Sequence, residues 1–187
     1  METGKERISP ELTKRMEGLI STLFMLNRIM DRGLSICEVR WKLINFESKF
    51  HQIVAHAPPI LSDRLTGYMA KRNVEVLYPD TTGGLRDYSS PMEFFEFVLE
   101  NFNRFEDEIE DTIDYAAAVD KDNTTKQFLQ SFLATWVDYV ATMNNIVDLA
   151  EQFAPNSESL GLQIFDDEFE KAFVVSDITP DRISVGD

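Results

Sequence analysis

At 187 residues the chain is long enough to bury a substantial core within one domain. Its 33 acids against 18 bases give a formal charge of −15, which repels nucleic acid and excludes a broad DNA-binding surface. A single cysteine, Cys37, excludes an intramolecular disulfide, and no apolar run approaches the length of a membrane span.

The N-terminus is charged and has no apolar stretch of the kind a secretory signal needs. Together with the lone cysteine this points to a cytoplasmic protein. Lys5, Arg7, Lys14 and Arg15 are interleaved with Glu2, Glu6, Glu11 and Glu17, the pattern of a solvated mixed-charge face rather than a basic arm.

A first helix opens at Ser9-Pro10-Glu11, which supplies an N-cap, a proline at the first helical position and an acid in the first turn. Leu12, Met16, Leu19, Ile20, Leu23, Leu26 and Met30 then recur at helical spacing. At Gly33 and Ser35 three readings stay open, a continuous helix, a kink or a boundary between two helices, before Ile36, Val39, Leu43 and Phe46 resume the period. Cys37 sits among apolar residues and reads as a buried small side chain rather than a reactive thiol.

A second helix is expected from about Phe46 to Arg72, interrupted by Pro58-Pro59, with a kink or a restart at Ser62-Asp63. Residues 73–90, with Pro79, Asp80, Gly83 and Gly84, form a long polar connection. Ser90-Pro91-Met92-Glu93 is a capping box opening a third helix that runs to about Val119. One face of that helix carries Phe94, Phe95, Val98, Phe102, Phe105, Ile109 and Ile113. The other carries Glu96, Glu100, Glu106, Asp107, Glu108, Glu110, Asp111 and Asp114, which is a solvent face or the lining of a cation-attracting pore.

After a cap at Asp120 to Asn123, Thr124 to Phe153 reads as a fourth helix ended by Pro155. Residues 156–187 form an acidic extension. Phe165, Phe169 and Phe173 suggest a short helix from Phe165 to Phe173, docked on the bundle or on a neighbouring subunit. A free tail is the competing reading. The expected architecture is therefore all-α: a four-helix bundle over residues 1–155 with a long crossover between its second and third helices, plus the extension.

Arg40-Trp41, Phe46, Phe50-His51, Ala70-Lys71-Arg72 and the Pro79-Asp80-Thr81 crossover resemble the DNA-protecting mini-ferritins of starved bacterial cells. Asp122-Asn123-Thr124 with Phe128, Leu129, Phe132 and Trp136 is similar to the start of that family's last helix. The wiring, two antiparallel helices, a long crossover and two more, is that of a ferritin-like bundle. The resemblance covers about residues 10–153. It implies a homo-oligomer, usually a hollow twelve-subunit shell, that oxidises Fe(II) and stores the ferric product, with His and carboxylate ligands shared between subunits.

Those ligands are mostly missing. The histidine before the tryptophan is Arg40, the second-helix histidine matches His51, and the carboxylate four residues later is Ala55. The later acidic pair falls at Thr66 or Gly67 and at Ala70 or Lys71. No Glu precedes either histidine by three residues, so the other ferritin pattern is absent too. A displaced metal set remains: Glu47 and His51, four apart on one helix face, with His56 and Asp63 further along, and iron as the implied ion. In the competing reading His51 is a hydrogen-bonded helix histidine and Glu47 pairs with Arg40. The expected function is iron binding, storage or oxidative protection with ferroxidase activity weak or lost. The alternative is a non-enzymatic ferritin-like scaffold without a metal centre.

Overall fold

The computed structural model describes residues 7–78, 80–156 and 158–173. Pro79 and the polar end after Phe173 lie outside them, as do Lys5 and its acidic neighbours. Helix α1 (Pro10–Ile36) passes into a π-helical turn (Cys37–Trp41). Helix α2 (Ile44–Phe50) follows, then a second π-helical turn (His51–Ala55) and α3 (Ala57–Lys71). After the crossover come α4 (Pro91–Ala118), α5 (Asn123–Phe153) and α6 (Ser159–Ala172).

Local chemistry sets most of these boundaries. The Ser9 hydroxyl accepts the Leu12 amide at 3.1 Å, and Pro10 occupies the first turn, where its missing N–H costs nothing. Asp122 caps α5 by accepting the Thr125 amide at 3.1 Å. Ser90 caps α4 by accepting the Glu93 amide at 3.1 Å. The Glu93 carboxylate reaches back one residue further than a capping box requires, taking the Ser89 amide at 2.8 Å and the Ser89 hydroxyl at 2.6 Å. With Arg86 beside it, these bonds hold its pKa down to about 2.

Gly33 does not break α1. A Cβ there would lie 2.0 Å from Phe94 Cε2, so the glycine lets the Phe94 ring of α4 seat directly against the α1 backbone. The chain turns later, at Lys42, whose φ of 60° is left-handed. The second helix restarts at Ala57 rather than at Ser62-Asp63. The wide turn before it places Pro58 and Pro59 in the first turn of α3, where proline is tolerated. Pro59 cannot donate to the Ala55 carbonyl, and the Asn27 side chain of α1 does so instead, at 3.0 Å. Ser62 is buried inside α3.

The contacts give the helix directions. Asn27 meets Ala55 in the turn just before α3, and the Arg7 amide meets the Arg72 carbonyl at 3.2 Å just past its other end, so α1 and α3 are antiparallel. Gly33 meets Phe94 while Thr22 donates to Glu108 at 2.8 Å, so α1 and α4 are antiparallel as well. Helices α3 and α4 are therefore parallel, and the chain must travel the length of the bundle between them. It does so as a strap along α1. The Leu77 amide donates to Glu17 at 2.8 Å, Gly83 passes the Met25 carbonyl, and Asp87 pairs with Arg40 at 2.7 Å. The 23 residues from Glu17 to Arg40, at a helical rise, span roughly 34 Å, and the anchors at Leu77 and Asp87 bridge that distance.

Helix α6 begins earlier than the expected Phe165, and it packs on α2 and α5. Phe165 and Phe169 bury their rings against Phe46, at centroid distances of 5.7 and 4.9 Å. Leu43 gives α2 no side-chain cap; Asp166 of α6 supplies one, accepting the Phe46 amide at 2.8 Å and the Asn45 amide at 3.1 Å.

Candidate functional site

Two places could carry the expected iron chemistry: the interior between the four long helices, and the surface around His51. The interior is filled with rings. Trp136 sits against Phe102 and Phe105, each at a centroid distance of 4.7 Å, and its indole N–H donates to the Phe102 carbonyl at 3.0 Å. Tyr139 is buried beside it, and burial pushes its hydroxyl up to about 12. The buried polar side chains mostly serve the backbone. Asn101 donates to the Phe97 carbonyl at 2.7 Å, Thr112 to that of Glu108 at 2.8 Å, and Thr142 to that of Asp138 at 2.8 Å. Among the described residues the buried set contains no His or Glu, and its one Asp is the α2 cap, Asp166. Burial raises the Asp166 pKa, and the two amide donors act against that rise. A di-iron centre in a bundle needs carboxylates and imidazoles projecting inward from facing helices. The residues present here do not fit one.

The surface set is partly assembled. His51 Nδ1 lies 3.6 Å from the Glu47 carboxylate, and the rings of His51 and His56 are 4.5 Å apart. Asp31 of α1, which sequence reasoning missed, lies 3.9 Å from His51 Nε2. Asp63 is exposed on α3 and forms no hydrogen bond or ion pair with them. The carboxylates of Asp31 and Glu47 address opposite nitrogens of one ring, so they do not face a common ion through it. Among the described residues no three His, Cys, Asp or Glu side chains converge as a metal group. Arg40 pairs with Asp87 and donates to the Tyr88 carbonyl rather than binding Glu47; its guanidinium holds the Asp87 carboxyl below the usual range.

Asp31 was findable. The contacts Asp31–His51 and Asn27–Ala55 are both centred on Trp41, so reflecting the chain about the turn brings the pairs into register. On α4, Glu96, Glu100, Asp107, Glu110, Asp111 and Asp114 are exposed, while Glu106 and Glu108 are partly covered. Partial burial, then Glu110 and Asp107, raises the Glu106 pKa. A groove of about 510 Å³ separates Arg40, Trp41 and Lys42 from Leu162, Gln163 and Asp167 of α6. Among the described residues no helix is long and apolar enough to cross a membrane.

Comparison with known proteins agrees with this architecture. Residues 59–153 match the family model of the ferritin-like domain. The structure is similar to that of a humanized archaeal ferritin, with a TM-score of 0.78 and 18% identity, covering 92% of this chain and 99% of that one. It is also similar to a closed form of the Archaeoglobus fulgidus ferritin engineered by site-directed mutagenesis. There the TM-score is 0.79 at 18% identity, covering 87% of this chain and 96% of the other. No curated protein matches the sequence. With the family pattern running through half the chain and an all-α bundle wired by a long crossover, this protein belongs to the ferritin-like domain family.

Proposed function

We propose that this chain is a non-enzymatic ferritin-like scaffold subunit that assembles with copies of itself. The observation that carries this reading is the interior: Phe102, Phe105, Phe132 and Trp136, all at 0% exposure, fill the space between the helices. Iron oxidation needs oxygen and imidazole donors around an open position, and aromatic rings supply neither. The test is Fe(II) oxidation by peroxide and then by oxygen, followed by ferric absorbance against a protein-free control. The scaffold reading expects no acceleration. Light scattering at micromolar concentration tests assembly, and a monomer would overturn that part of the reading.

The juxtaposition of His51 with Glu47, Asp31 and His56 favours a second reading, in which the protein is closer to the mini-ferritins and handles iron at its surface. Here Glu47, His51 and His56 hold an ion that draws further ligands from a second subunit. Fast oxidation that disappears in His51→Ala would establish this reading and displace the first.

A further inference from the structure

We infer that α6 is a releasable clamp that keeps α2 folded, so that Ile44–Phe50 and Ser159–Ala172 open and close as one unit. Each helix completes an end of the other. Helix α2 runs on directly into the π-helical turn at its C-terminal end, but its N-terminal end has no cap from Leu43, and its Asn45 and Phe46 amides are satisfied by the Asp166 carboxylate. In return Lys49 of α2 donates to the carbonyls of Glu170 and Phe173 at the last turn of α6, the second at 3.2 Å.

Between these two polar locks lie the rings of Phe46, Phe165 and Phe169, which bury one another and Phe95. Removing α6 would strip a cap and a ring wall from α2 at once. Removing α2 would leave the Glu170 and Phe173 carbonyls without their lysine donor and take Phe46 from both rings, with Phe165 keeping Phe95. Contacts shared this closely open together rather than separately.

The unit has a downstream consequence. Glu47 lies within α2, and His51 begins the turn that follows it. Opening α6 would therefore scatter the Glu47–His51 pair, while α4 and α5, built on their own contacts, stay formed.

Hydrogen exchange on the full chain tests the coupling, with peptides covering 44–50, 159–172 and, as an internal reference, 91–118. Asp166→Ala is expected to speed exchange about tenfold in both of the first two segments, with no change in the third. Asp166→Asn, which keeps one acceptor oxygen, is expected to recover part of the protection. Faster exchange in 159–172 alone, or in neither segment, would overturn the inference. If Asp166→Ala does not fold, Lys49→Met removes the other lock and keeps the apolar stem. The two segments should again move together, and a response confined to one would overturn the inference.

Discussion

Three helical glycines make an internally controlled test of how this bundle is packed. A Cβ at Gly18 or at Gly67 meets nothing within 4 Å, whereas at Gly33 it would lie 2.0, 2.3 and 2.4 Å from three atoms of the Phe94 ring. Glycine in a helix interior is about 1 kcal/mol worse than alanine, so Gly18→Ala and Gly67→Ala should each stabilise by up to about that amount. At Gly33 the same gain is opposed by overpacking. Phe94 is at 0% exposure, with the rings of Tyr88, Phe95 and Phe50 at 5.1, 5.7 and 6.4 Å from its own, so it has little room to retreat. Overpacking costs about 3 kcal/mol at the upper end of its usual range, leaving Gly33→Ala about 2 kcal/mol less stable than the parent. For a chain of this length that corresponds to a fall in Tm of about 4–8 °C. Urea unfolding of the three variants, at equal subunit concentration, reads the differences. A Gly33→Ala protein as stable as Gly18→Ala would refute the close approach of α4 to α1 and return Gly33 to the role of a helix break.

Arg72 ties three elements at one end of the bundle. It pairs with Asp122 at 2.8 Å, with both side chains at most 16% exposed, and also donates to the Arg7 carbonyl. Arg72→Met should cost about 3 kcal/mol in urea unfolding because Asp122 loses its counter-ion and keeps only its hydrogen bonds from Thr125, and adding Asp122→Asn should restore part of it; a loss below about 1 kcal/mol would contradict this. Glu93, with its folded pKa at about 2 against an ordinary 4.5, contributes stability in full above the ordinary value and loses it as pH falls toward the folded one. The gap in urea midpoint between the parent and Glu93→Gln should therefore be open at pH 7 and closed near pH 2, and a gap independent of pH would refute the assignment. Trp136→Ala should cost about 3–5 kcal/mol through the cavity it leaves among Phe102, Phe105 and Tyr139, measured in the same assay.

The parts of this fold that could be read from the chain are those in which cause and effect lie three or four residues apart. Ser9, Ser90 and Asp122 announce their helices because a cap bonds an amide on the next turn. The long crossover was legible because its polar run is bounded by helical periods. The sequence leaves open whether α1 runs through Gly33, because the residue's role is set by Phe94, on another helix. Pro58-Pro59 announce an interruption, but with its restart expected at Ser62-Asp63, because the widened turn that puts the prolines in the first turn of α3 leaves no local mark. Asp166 looked like one more acid in an acidic segment, since the amides it caps are some 120 residues away. At the candidate site, His51 and Glu47 stood out by their spacing, whereas Asp31 required the register of a hairpin. The departure of the ferritin ligands was plain in the sequence. The packing of the α4 rings against Trp136 and Phe132 of α5 became plain only in the structure.

The strap beside α1 makes the length of this bundle a shared quantity. An extended residue advances about 3.4 Å and a helical residue about 1.5 Å, so inserted residues of the two kinds exchange at a ratio of roughly one to two. Lengthening every helix by seven residues would demand about three more in the crossover, inserted between its anchor points on Glu17 and Arg40. A deletion in the strap shortens its reach between those two anchors. Changes in the height of such a bundle are thus confined to coordinated steps, and the segment that looks most dispensable by composition is the one that sets its scale.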